Sequence, residues 1–261
     1  GAAGMARRNS SGQMVMPTPA WAIASVVTVF SVYPLFSGFA LSLTNWDGLN
    51  PEKTFVGLAN YVTMLHDANF RTILVNTLIY GVGSTIIQQV LGLALALLLN
   101  SKIRGRNALR AIIYLPALVS AVIMGTMYYL IFQYQQGALN TILSALGLQK
   151  VVWFNNPTTA VVIILLVNSF QFCGTSMIIY LAGLQVMDQS VVEAASLDGA
   201  TGWTKFWNIT MPMLMPAFST SVVLNLIGGL KLFDVIKVLT GGGPGYSTHS
   251  ISTYISSVYF D

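Results

Sequence analysis

The chain has 261 residues, of which 54% are hydrophobic and only 8% charged, with a net charge of +4 and a mean hydropathy of +0.69. A soluble domain carries roughly 25% charged residues, so the surface of a water-soluble enzyme or binding module is missing. The positive charges gather in one short connection rather than on a face suited to nucleic acid, and the single cysteine, Cys173, leaves no disulfide framework or thiolate metal site.

Residues 1–19 form an N-terminal segment, and residues 1–4, ahead of Met5, are expected to be foreign to the native chain. Apolar runs then cover 21–43, 72–99, 109–132, 159–184 and 211–230. Each reaches the ~20 residues that cross a hydrocarbon core as a helix. Short alternating segments of the kind a barrel needs are absent. The chain therefore reads as an all-α polytopic membrane protein with five visible spans and one domain over 20–261. Arg7 and Arg8 precede the first run, but that run is too long for a signal-peptide core.

A polar segment follows the first span, with turn signals at Asp47-Gly48 and Asn50-Pro51. Span two carries Thr77, Gly81, Ser84, Gln88 and Gly92 at helical spacing, a pattern of close helix packing in lipid, with pore lining as the alternative. Lys102, Arg104, Arg106 and Arg110 crowd the next connection, whereas 133–157 holds only Lys150. The positive-inside rule places 100–110, the N-terminus and the connection around Ser190 in the cytoplasm. Span three ends in Tyr128, Tyr129, Phe132 and Tyr134, read as an interfacial anchoring belt rather than a ligand cage.

Asn168, Gln171 and Thr175 share one face of span four, and Ser221, Asn225 and Gly228 share one face of span five. Polar groups in lipid seek the bundle interior or a water-filled cavity. The two stripes are candidates for a polar pathway, with interhelical hydrogen bonding as the other reading. Lys231 and Asp234 lie three apart at the outer end of span five, spaced to neutralise each other on a helix. The glycine-rich stretch 240–248 lacks the lysine of a phosphate loop and reads as an outer turn. His66 and His249 are isolated and read as solvated loop residues, and no catalytic constellation appears.

Residues 188–208 interrupt the apolar pattern. Burying Asp188, Glu193, Asp198 and Lys205 at mid-bilayer costs on the order of 10 kcal/mol, so the segment stays outside the hydrocarbon. Ser190-x-x-Glu193 has the form of a capping box, Asp198-Gly199 terminates the short helix, and Thr201 is placed to cap a second helix through Trp203, Phe206 and Trp207. The expectation is a bent helix pair joined rigidly to spans four and five.

This segment, EAASLDGATGWTKFWNITMPMLMP, closely resembles the EAA motif of permease subunits in ATP-binding-cassette importers. The matching positions are Glu193, Ala194, Ala195, Asp198, Gly199, Ala200, Phe206, Ile209, Pro212, Leu214 and Pro216. SLTNWDG, FVGLANYVTML, NTLIYG and KLFDVIKVLTGGGPGYST extend the resemblance from about Trp21 to the end of the chain and narrow it to carbohydrate permeases of the maltose and glycerol-phosphate type. Lys237 departs from the uncharged residue usual there. The resemblance implies a helical permease bundle in a bacterial-type inner membrane, with a sixth span expected beyond residue 261. It also implies a homologous second permease, two ATPase subunits holding ATP and magnesium, and an extracytoplasmic binding protein delivering a carbohydrate. Glu193, Ala194, Ala195, Asp198, Gly199 and Ala200 would couple to an ATPase. An importer permease for amino acids or peptides is the alternative, and a secondary transporter or channel fits less well because no intramembrane carboxylate or internal repeat is visible.

Overall fold

The computed structural model describes residues 7–8, 14–15, 20–46, 48, 52–101 and 103–260. Lys102, Asp47, Asn50 and Pro51, named above for charge and turn signals, lie outside them. The chain divides into two compact units, Gly1–Asp67 and Ala68–Asp261.

In the first unit, two short strands, β1 (Arg7–Arg8) and β2 (Met14–Val15), pair antiparallel. The span α1 (Ala24–Ser42) is apolar all round, and its outward side chains include Phe30 at 76% exposure, as lipid contact requires. A π turn at Thr28–Val32 precedes Pro34. Proline has no N–H to donate, and the widened turn absorbs the gap. A small hairpin follows, in which Asn45 and Thr54 exchange bonds, and Lys53 sits 4.0 Å from the centre of the Trp46 ring. Helix α2 (Ala59–His66) is tied back to the end of α1: Asn60 Nδ2 donates to the carbonyls of Ser42 and Thr44.

The second unit is built around one helix. Its elements are α3 (Ala68–Asn100), α4 (Arg106–Leu118), α5 (Ala121–Phe132), α6 (Ala138–Ala145), α7 (Pro157–Val186), α8 (Gln189–Leu197), α9 (Gly202–Leu230), α10 (Asp234–Leu239) and α11 (Ile251–Phe260). The 30-residue α7 packs on α3, α4 and α9, and more of it is buried than of any other span. Asn156 starts it by accepting from the N–H groups of Thr158 and Thr159, with Pro157 at the first helical position.

Small residues set the approach distances. A Cβ on Gly92 would overlap that of Ser176 on α7, and one on Gly229 would lie 2.8 Å from the Tyr80 carbonyl on α3. Gly81 and Gly92 of the span-two stripe therefore serve close packing, with Ser84 donating to the Tyr80 carbonyl within its own helix. Arg110 closes the C-terminal end of α3 by donating to the Leu99 carbonyl at 2.8 Å, the favourable side for a cation on a helix dipole.

One expected span is corrected. Residues 109–132 are not one straight helix: α4 and α5 meet at a 96° bend. Val119 and Ser120 are extended at the break, shortly after Pro116 has removed a rung from the ladder.

Gly174 marks the tightest backbone approach between two helices, since a Cβ there would lie 2.5 Å from the Ile113 carbonyl oxygen and 2.9 Å from Tyr114 Cα. Gly174→Val is expected to destabilise the solubilised protein by about 1–3 kcal/mol through overpacking. Gly228→Ala, with nothing within 4 Å of the added methyl, should leave the thermal midpoint unchanged. Equal midpoints for the two variants would contradict this packing.

Candidate functional site

Two regions carry polar chemistry: a cavity where α3, α5, α7, α9 and α10 meet, and the elbow formed by α8 and the start of α9.

The cavity has a volume of about 360 Å³. Asn168, Phe172 and Thr175 of α7 form one wall, and Leu224, Asn225 and Gly228 of α9 another. Gln88 enters from α3: it is 2% exposed, and its Nε2 donates to the Asn168 backbone carbonyl at 3.2 Å. Its Oε1 is buried without a protein partner. Asn225 is oriented by donating to Ser176 Oγ at 2.6 Å.

Four of the six pathway candidates, Asn168, Thr175, Asn225 and Gly228, line this cavity. Gln171 and Ser221 do not. Gln171 is 1% exposed and donates to the Val119 carbonyl at 3.3 Å, the group freed by the α4–α5 break. Ser221 is fully buried in the packing of α9. Gln88 belongs to the span-two stripe, for which pore lining is the alternative to close packing, and at Gln88 the alternative holds. Phe172 is missed by sequence reasoning, because it gives no signal among so many apolar neighbours.

Lys231 and Asp234 both line the cavity, yet they are not one turn apart on a helix. Helix α9 stops at Leu230, Lys231 leaves the helical conformation, and Asp234 opens α10. The reversal is held by Ser250, whose hydroxyl donates to the Leu232 carbonyl at 2.7 Å.

The glycine-rich turn is pinned rather than loose. Asn76 Nδ2 donates to the Ser247 carbonyl at 2.7 Å, and the Tyr80 hydroxyl donates to the Thr248 carbonyl at 3.0 Å. His249, expected to be solvated, is 5% exposed; its Nδ1 lies 3.1 Å from Thr253 Oγ1 and its ring packs between Tyr246 and Tyr254. Gly242, at φ +95°, leaves room for that ring where any Cβ would collide with it. His66 ends α2 and is exposed, its Nδ1 2.8 Å from the Val62 carbonyl.

The elbow begins two residues earlier than the capping-box reading placed it. Asp188, not Ser190, is the N-cap, accepting from the Ser190 N–H at 2.9 Å. The Ser190 hydroxyl and N–H hold the Asp188 carboxyl below its ordinary pKa. A depressed value means that the cap stabilises the helix above the ordinary carboxylate range and is lost as pH falls through the lowered one. Glu193 stands exposed on the helix instead of closing a box, beside exposed Ala194, while Ala195 is buried.

Helix α8 ends in a Schellman motif. The Ala200 N–H donates to the Ala195 carbonyl at 2.9 Å and the Gly199 N–H to that of Ser196 at 3.2 Å, with Gly199 at φ +83°. Thr201 occupies the next N-cap position, but its side chain makes no capping bond. Trp203 stacks on Phe206, and Trp207 meets both edge-on, with ring centres 5.2–5.7 Å apart. Lys205 Nζ lies 2.8 Å from Ser196 Oγ and clamps α9 to α8. Through a π turn at Phe206–Thr210, ahead of Pro212, the elbow's second arm runs without interruption into the span.

Comparison with known proteins agrees with this geometry. The trehalose/maltose transport system permease protein MalF of Thermococcus litoralis is 37% identical, over 94% of this chain and 82% of that one. The multiple sugar-binding transport system permease protein MsmF of Streptococcus mutans is 34% identical, over 89% and 80%. A chain in the crystal structure of a bacterial alginate ABC transporter, in complex with an alginate pentasaccharide-bound periplasmic protein, superposes with a TM-score of 0.77 at 26% identity, covering 92% of this chain and 81% of that one. The profile described as "Binding-protein-dependent transport system inner membrane component" matches residues 88–260, and the chain belongs to that family.

Proposed function

We propose that this chain is the permease subunit of an ATP-driven carbohydrate importer. It supplies half of a translocation pathway completed by a homologous second permease. In this reading two ATPase subunits bind ATP and magnesium on the cytoplasmic side, and an extracytoplasmic binding protein delivers the saccharide. The chain carries no phosphate loop of its own and acts as a transport subunit.

The observation that carries the proposal is the continuity of α9. One helix holds the elbow aromatics at one end and the cavity residues Asn225 and Gly228 at the other. At 1.5 Å per residue, Trp203 and Asn225 are about 33 Å apart along it. Helix α7 runs alongside, with Asn168 and Thr175 at the cavity and Val186 just before the elbow. Docking of the exposed Glu193–Gly199 face on an ATPase would let ATP-driven closure pull both helices together. That motion changes the walls of the cavity and hence the side on which it opens. Uncharged amides and a hydroxyl from three helices suit the hydroxyl groups of a sugar, and Phe172 offers an aromatic face.

Three outcomes follow. Gly199→Val should abolish solute-stimulated ATP hydrolysis and uptake in reconstituted vesicles while leaving insertion intact, because a β-branched residue resists the left-handed conformation. No atom lies within 4 Å of the added Cβ, so the defect is conformational, and Gly199→Asn should restore part of the activity. Wild-type activity in Gly199→Val would show the elbow to be a mere connector. For the cavity, Asn168→Leu and Thr175→Val should each lower saccharide uptake at least tenfold, whereas Ser221→Ala should not; equal uptake in all three would remove the pathway assignment. In a Cys173→Ala background, Gly199→Cys should resist an impermeant thiol reagent added to intact cells. Labelling from outside would reverse the topology.

A further inference from the structure

We infer that the mouth of this subunit carries a second, separate saccharide subsite, in a cleft lined by Tyr129, Phe132, Tyr134 and Trp153 and edged by Gln133 and Gln135. The inference rests on the carbohydrate reading above. The cleft has a volume of about 340 Å³, at the lower end of small-molecule sites. It lies at the C-terminal end of α5, on the side that the charge asymmetry assigns to the exterior. The central cavity touches the other end of the same helix, at Ala121.

The cleft is built rather than incidental. Asn140 of α6, fully buried, holds both of its lips. Its Nδ2 donates to the Tyr134 carbonyl at 3.1 Å and to the Val151 carbonyl at 2.9 Å, while its Oδ1 accepts from the Val151 N–H at 3.0 Å. Lys150 adds a bond to the Gln135 carbonyl at 3.0 Å. Phe132 meets Trp153 edge-on, with centroids 5.7 Å apart, which fixes the indole. The backbone of both lips and the Phe132–Trp153 pair are thus fixed before any ligand arrives, which lowers the ordering entropy lost on binding.

The chemistry selects the ligand class. No charged side chain lines the cleft among the described residues, which disfavours an anion or a metal ion. Aromatic faces match the C–H faces of a pyranose ring, and the exposed amides of Gln133 and Gln135 can donate to and accept from its hydroxyls. The indole N–H of Trp153 is itself buried and without a protein partner, so the ring meets the cleft through its carbon surface. An interfacial anchoring belt, the simpler role for these aromatics, requires neither a fixed cleft nor the Asn140 clamp.

The test is fluorine NMR of the complete assembly labelled with 5-fluorotryptophan and titrated with maltotriose. The resonance removed by Trp153→Phe identifies the indole. The expected result is a saturable shift of that resonance, retained in Asn225→Leu and lost in the Tyr134→Ala, Gln133→Ala double variant. A resonance that stays fixed up to the solubility of the sugar overturns the inference. So does a shift abolished by Asn225→Leu, which would trace the signal to the central cavity, or one that appears only on adding ligand-free binding protein. Vesicle uptake on the same preparation separates the two claims: saccharide uptake with a silent Trp153 defeats the mouth site and leaves the importer reading standing.

Discussion

Hydrocarbon offers no hydrogen bonds, so every interruption of a helix between apolar segments must be satisfied by another part of the protein. Much of this structure follows from that requirement. Gln171 donates to the carbonyl freed where α4 breaks, Ser250 to that of Leu232 where α9 reverses into α10, and Tyr80 and Asn76 to the carbonyls of the glycine-rich turn. Arg110 does the same at the C-terminal end of α3. Polar side chains that look functional in an apolar sequence are thus divided between two tasks. Some hold broken backbone in place, and the remainder are left to line the cavity.

That division explains what could be read in advance. The apolar runs marked four helices long and apolar enough to cross a bilayer and, as the bent α4–α5 pair, the place of the fifth, because length and composition set whether a helix can span hydrocarbon. Period 3.6 correctly put polar residues on one face of α7, but a face is broad enough to meet two neighbours. Asn168 and Thr175 reach the cavity while Gln171, between them, turns toward the α4–α5 break. No local signal distinguishes these outcomes, since the break is set by Pro116 and the backbone approach at Gly174. The elbow helix was legible because its terminator is a glycine, whereas its start was placed at Ser190 although Asp188, a residue type that caps equally well, does the capping. His249 was misread because hydrophilic sequence around a turn says nothing about which helix will cover it.

The same reasoning separates rigid from deformable parts. Helix α7 is clamped on three sides, and the approaches at Gly92 and Gly174 leave no room for it to slide. Helix α9 meets it through the Asn225–Ser176 bond and carries exposed apolar residues elsewhere, as a helix facing lipid or a partner subunit does. Leu197, at 89% exposure, and the Trp203 cluster project from the elbow beyond this frame. A force applied there meets a helix whose only widened turn lies at Phe206–Thr210. The coupling account depends on that turn staying closed during the cycle.

Distances between spin labels decide the matter most directly. In the Cys173→Ala background of the reconstituted assembly, one label pair at Thr204→Cys and Val223→Cys reports on α9 itself, and a second at Thr204→Cys and Val90→Cys reports on α9 against α3; all three native positions are exposed. Between nucleotide-free and ATP-trapped states, a rigid lever keeps the first distance constant and changes the second. A change in the first distance with the second unaltered would place a hinge inside α9 and contradict transmission from elbow to cavity.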